Sequence, residues 1–146
     1  KMEIPEGEYI IPIGVADIKR EGTDVTLVSF GKIIKEAYKA ADELAKENIS
    51  VEIIDLRTVR PMDHAAIIKS VKKTNRLVVL EEAWPFGSIA TEITYRIQDE
   101  IFDYLDAPVK RITTADTPAP YSPVLFEKWI PNSNDVIKAV KDVLYI

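Results

Sequence analysis

The sequence contains no cysteine. Disulfides, thiolate nucleophiles and thiolate-held zinc are excluded throughout the chain. It contains one histidine, His64, so any imidazole general base or Ser-His-Asp arrangement would have to run through that residue. Cations are also in the minority, with 19 Lys and Arg against 24 Asp and Glu and a net charge of -5. No dense basic run occurs, which argues against a nucleic-acid-binding face and leaves basic partners open. No apolar run approaches the roughly 20 residues that cross a bilayer, and no signal-peptide pattern precedes Ile4. These absences predict a soluble, intracellular chain with no nucleic acid and no membrane among its partners.

What is present is ordinary globular composition, 47% hydrophobic and 29% charged over 146 residues, enough for one domain with a real core. The chain opens on Lys1, and its first residues include Pro5 and Gly7 with no core of their own. The expectation is an arm or linker over residues 1–14 and one domain over residues 15–146, cut from a longer protein. Glu8 to Ile13 reads as a surface arm or a short edge strand.

Hydrophobic periodicity supplies the elements. Ala16 to Arg20 reads as a short strand beside the next one, across the turn Glu21-Gly-Thr-Asp24. Val25 to Phe30, Val51 to Leu56, Leu77 to Leu80 and Val109 to Thr114 read as further strands. The Leu77–Leu80 run lacks the alternation of a strand wetted on one face, which suits a parallel strand covered on both sides. Helical stripes run from Lys32 to Glu47 (Ile34, Ala37, Tyr38, Ala41, Leu44, Ala45), from about Asp63 to Lys73 (Ile67, Ile68, Val71), from Ser88 to Tyr104 (Ile89, Ile93, Ile97, Ile101) and from Asn132 to Leu144. Alternating strands and helices predict an α/β fold, a three-layer α/β/α sandwich on a mostly parallel sheet of about five strands. Asp116 to Pro131 is expected to be an extended, proline-rich connection that packs on something.

Candidate chemistry is thin. His64 sits one residue after a helix cap with no Ser or carboxylate arranged by spacing, as a first-turn surface histidine would. Glu81 and Glu82 follow the Leu77–Leu80 strand at the edge where α/β sites gather. Consecutive strand residues face opposite sides, so the two carboxylates are not expected to converge. One is expected to pair with a cation under the helix layer and the other to face solvent or a partner subunit. Ser88 is expected to cap the following helix. Gly31 and Gly87 stand at helix starts that offer free N-H groups to an anion, without a phosphate-binding fingerprint. Asp55, Arg57, Arg60 and Asp63 are expected to form an ion-pair network fixing a strand-to-helix turn. On these grounds no catalytic, cofactor-binding or metal residue is assigned. An alternative reading is a free-standing flavodoxin-like domain that binds an anion or nucleotide at Gly31 or Gly87.

Four segments carry a family resemblance: Asp55-Leu-Arg-Thr-Val-Arg-Pro-Met-Asp63, Thr74-Asn-Arg-Leu-Val-Val-Leu-Glu-Glu-Ala-Trp-Pro-Phe-Gly87, Leu105-Asp-Ala-Pro108 and Ala115-Asp-Thr-Pro-Ala-Pro-Tyr-Ser-Pro123. In this order they resemble the C-terminal domain of the β subunits of the thiamine diphosphate-dependent 2-oxo acid dehydrogenases, closer to the pyruvate than to the branched-chain enzyme. The same domain of a related 2-oxo acid or acetoin dehydrogenase is an alternative. The resemblance implies a transketolase C-terminal fold, with the catalytic histidine on an N-terminal domain to which His64 does not correspond. It implies no cofactor in this fragment, and thiamine diphosphate with Mg2+ in the full enzyme. The implied partners are an α subunit, a second β subunit and the peripheral subunit-binding domain of a dihydrolipoyl acyltransferase. Asp106 and the chain-terminal carboxylate of Ile146 correspond to the docking positions. Glu81, Glu82, Trp84 and Phe86 are interface candidates, and the location is cytoplasmic in a bacterium, or the mitochondrial matrix or plastid stroma otherwise.

Overall fold

The computed structural model describes residues 6–146, so the first five positions of the expected arm lie outside the described residues. Five strands form one sheet: β1 (Asp17–Arg20), β2 (Val25–Ser29), β3 (Val51–Asp55), β4 (Leu77–Leu80) and β5 (Lys110–Ile112), in the order β1-β3-β2-β4-β5. β2, β3, β4 and β5 are parallel, and β1 alone is antiparallel. The helices are α1 (Ile34–Lys46), α2 (His64–Thr74), α3 (Ile89–Ile101), α4 (Pro123–Trp129) and α5 (Ser133–Leu144).

The central strands are buried on both faces, and their alternation divides the core in two. Val25, Leu27, Val51, Ile53, Val78 and Leu80 face α1 and α5, while Val28, Ile54, Leu77 and Val79 face α2 and α3. The result is the expected α/β/α sandwich. On α1 the buried stripe is Ala37, Ala40, Ala41 and Leu44, so it takes in Ala40 and leaves Ala45 exposed.

Three local expectations change. β1 pairs with β3 and not with β2. The link from Glu21 to Asp24 crosses the start of β3, where the N-H groups of Thr23 and Asp24 both donate to Ser50 O, and Ser50 N-H donates to the Asp24 carboxylate. Those bonds place β3 between the two strands that the turn joins. Glu8 to Ile13 forms no strand and is exposed, and its continuation is fastened where Gly14 N-H donates to Thr58 Oγ1 and Ala16 N-H to Asp63 Oδ2. The Asp116 to Pro131 connection contains the helix α4, started by Pro123 in the first turn, where a missing N-H costs nothing. Pro131 precedes α5, which Asn132 and Asp135 open with a reciprocal capping box.

Candidate partner-binding surfaces

The carboxyl end of β4 separates its two glutamates. Glu81 is fully buried and Glu82 exposed. Among the described residues Glu81 meets no cation, contrary to expectation: one carboxylate oxygen accepts from Ala90 N-H at 3.2 Å, and the other has no partner. The carboxylate therefore stands at the positive end of α3. Ser88 occupies the N-cap position of this helix, as expected, but its side chain makes no capping bond. At the helix start that follows Gly87, the Ala90 N-H is therefore already taken by Glu81. Gly31 opens a three-residue 3-10 turn that runs directly into α1. As an interface candidate Glu81 is corrected, since no part of it reaches the surface.

Beyond Glu81 the chain rises into an aromatic turn. Phe86 is 92% exposed and Trp84 54% exposed. The indole N-H groups of Trp84 and Trp129 both donate to Thr117 O, at 2.9 and 2.8 Å, and the rings of Phe126 and Trp129 stack at 5.6 Å. Arg111 fastens the turn from β5 by donating to Pro85 O and Thr91 Oγ1. The proline-rich segment is thus held against the turn, and α4 has no buried residue, with Val124 and Leu125 facing solvent.

The Asp55–Asp63 turn is not the ion-pair network expected. Arg57 pairs with Asp17 of β1 at 2.6 Å, and Asp55 accepts the Arg57 N-H. Asp63 caps α2 through Ala66 N-H and holds Ala16 N-H with its other oxygen. His64 is half-buried under α3, its Nδ1 3.3 Å from Glu100 and its Nε2 buried without a partner. Burial pushes its pKa down, opposed by the Glu100 charge.

Asp106 lies at the opposite end of the sheet from the aromatic turn, in the loop after α3. Its side chain is 55% exposed, and its carboxylate is 3.3 Å from the Arg76 guanidinium. Asp106 N-H donates to Asn75 O, Arg76 Nε donates to Val143 O, and Tyr145 Oη donates to Asp106 O at 3.4 Å. The exposed Tyr145 therefore stands beside Asp106, which the sequence separates from it by 39 positions, and Ile146, also exposed, follows Tyr145 in the chain.

With this geometry in view, the chain matches the family described as "Transketolase, C-terminal domain" over residues 14–136. It belongs to that family. Among curated relatives, it is 51% identical over 144 residues to the pyruvate dehydrogenase E1 component subunit beta of Rhizobium meliloti, covering 98% of this chain and 31% of that protein. It is 46% identical over 144 residues to the acetoin:2,6-dichlorophenolindophenol oxidoreductase subunit beta of Bacillus subtilis, covering 99% of this chain and 42% of that protein. A solved structure titled "Split gene transketolase, inactive beta4 tetramer" superposes with a TM-score of 0.82 at 26% identity, covering 92% of this chain and 44% of that one. The chain thus spans less than half the length of these relatives. Relatives of this kind include bacterial and mitochondrial proteins.

In this transketolase C-terminal domain the described residues bring no three His, Asp or Glu side chains together as a metal site. They also contain a buried charge that sequence reasoning passed over. Glu52, the second residue of β3, is 1% exposed and is bonded by Lys73 and by Gly22 N-H. The signal was available, since Val-Glu-Ile-Ile places a carboxylate on a strand whose neighbours are all apolar, where burial demands a partner.

Proposed function

We propose that this chain is the C-terminal assembly and docking domain of a pyruvate dehydrogenase β subunit and is not catalytic by itself. The full enzyme, with an α subunit and a second β subunit, would decarboxylate pyruvate oxidatively and pass the acetyl group to lipoamide. Thiamine diphosphate and Mg2+ belong, in this proposal, to the rest of the assembly. Among the described residues no three His, Asp or Glu side chains come together as a metal site. In a bacterium the protein would be cytoplasmic, and otherwise in the mitochondrial matrix or plastid stroma.

The observation that carries the docking reading is the placement of an exposed Asp106 between Arg76 and the exposed Tyr145. An exposed carboxylate beside an exposed aromatic ring suits a cationic side chain of a partner. Arg76 orients it, and a carboxylate with four lone-pair sites still accepts a second cation. The partner is the peripheral subunit-binding domain of a dihydrolipoyl acyltransferase. Glu82, Trp84 and Phe86, extended by the exposed apolar residues of α4, form the separate face toward other subunits. The identity to the acetoin enzyme's β subunit supports a second reading, the same domain in an acetoin dehydrogenase, with the same docking chemistry.

The test is calorimetric titration of the assembled enzyme with the peripheral subunit-binding domain. Asp106→Asn is expected to weaken binding roughly tenfold at low ionic strength and to flatten its salt dependence. Binding that ignores both the substitution and salt would overturn the assignment.

A further inference from the structure

The surface around Asp106 carries more than a charge. A cavity of about 440 Å³ opens beside it, walled by Gln98 of α3, Phe102, Leu105, Pro108 and Val109, with Asp106 on its rim. Leu105 and Val109 pack inward on the α2–α3 core, so the floor is continuous with the folded interior. Phe102 is 63% exposed, a large apolar ring left at the mouth.

Asp106 is, among the described residues, the one charged residue that lines the cavity, and the segment supplying most of its wall, from Ile97 to Val109, holds no Lys or Arg. Asp99, Glu100 and Asp103 of that segment are exposed outside the lining, with Glu100 turned to His64. Neighbouring cations are already engaged: Arg76 on Asp106, Lys72 over the Tyr104 ring at 4.9 Å, and Lys110 on Asp142 at 3.3 Å. Among the described residues, Asp99 and Asp103 take part in no ion pair. A second copy of this chain, itself carrying net -5, is a poor occupant, whereas a basic segment is electrostatically complementary.

We propose that this cavity is the apolar half of the docking site. It receives an aliphatic side chain from a partner segment whose neighbouring arginine or lysine reaches Asp106. In a helical partner the two side chains would stand one turn apart, which places them on one face. The inference rests on the docking reading and adds to it an anchor that salt does not screen.

The assembled enzyme is titrated with the peripheral subunit-binding domain at low and high salt, using variants that block or open the cavity. Gln98→Trp, at an exposed helix position, fills the mouth, and Phe102→Ala removes one wall. Each is expected to weaken binding about tenfold at both salt concentrations, the loss of one buried aliphatic contact, with the parent's salt slope retained. If both bind as the parent does while Asp106→Asn is weakened and salt-insensitive, the cavity is not an anchor and the docking reading stands. If all three bind as the parent does, both fail. Should Gln98→Trp not fold, Phe102→Ala, at a residue that is mostly exposed, carries the test alone.

Discussion

Gly22→Ala is expected to leave no stably folded domain under conditions where the parent is native. A Cβ at Gly22 would lie 2.2 Å from Glu52 N, 2.3 Å from Val51 C and 2.7 Å from Val51 O. All three are backbone atoms of a central strand, so relief requires β3 to move away from the link that crosses its start. Such a shift disturbs the β1–β3 and β2–β3 ladders together. A cost of about 5 kcal/mol or more is expected, comparable with the whole stability of a domain this size. Gly87→Ala is the control: its φ of +66 makes alanine strained, but no atom lies within 4 Å, so the loss should be about 1 kcal/mol. Urea unfolding followed by circular dichroism separates the two. A Gly22→Ala midpoint equal to the parent's would mean that the crossover does not lie against β3.

The second large effect belongs to Lys73. Its ammonium bonds to the buried Glu52 carboxylate and, at 3.1 Å, to Glu21. Burial pushes Glu52 up, but hydrogen bonds from Lys73, from Ser70 and from Gly22 N-H outweigh it and hold the carboxyl below its ordinary value of 4.5. Lys73 is raised from its ordinary 10.5, chiefly by its bond to Glu52. A carboxyl depressed in the folded state contributes stability that is present above its unfolded pKa and lost as pH falls through the folded one. The parent should therefore lose stability on acidification below about pH 4.5, the ordinary value of Glu52. Lys73→Met leaves the carboxylate buried without its main cation, at a cost of about 3 kcal/mol near neutrality. Without Lys73, burial dominates and the carboxyl binds its proton more readily, so the gap between variant and parent should narrow as pH falls toward 4.5. Chemical denaturation at a series of pH values reads both trends. A gap that widens on acidification would contradict the assignment of Glu52 as a buried anion.

Most of the fold was legible because the core is written in runs that only one environment satisfies. Leu77–Leu80 has no polar face, and the isoleucines of α3 recur at helical spacing, so strand, helix and layer followed directly. The position of β1 was not legible. A four-residue turn ordinarily joins neighbouring strands, and it takes the close approach of Gly22 to β3 and the bonds to Ser50 to reveal that the link passes across a third strand. The helix α4 was hidden by its prolines, which read as extended chain until Pro123 is recognised as a first-turn residue.

The surfaces divide differently. Opposite pointing of adjacent strand residues correctly separated Glu81 from Glu82, but it could not say that the inner one caps a helix instead of meeting a cation. His64 read as a surface residue because the partner that covers it, α3, lies 36 positions away at Glu100. Asp106 was reached through family resemblance alone. Its neighbourhood is assembled from the end of α2, the loop after α3 and the last turn of α5, a juxtaposition that no local spacing records.

Two assays on one preparation of the assembled enzyme carrying Asp106→Asn bear most directly on the claim that this domain docks and does not react. One follows pyruvate decarboxylation with a small artificial electron acceptor, and the other follows acetyl transfer with the acyltransferase core supplied below saturation. The expected result is an unchanged first rate and a second rate reduced severalfold, recovering when the core is in excess. A fall in the acceptor-linked rate, or an acetyl-transfer rate equal to the parent's at limiting core, would contradict it.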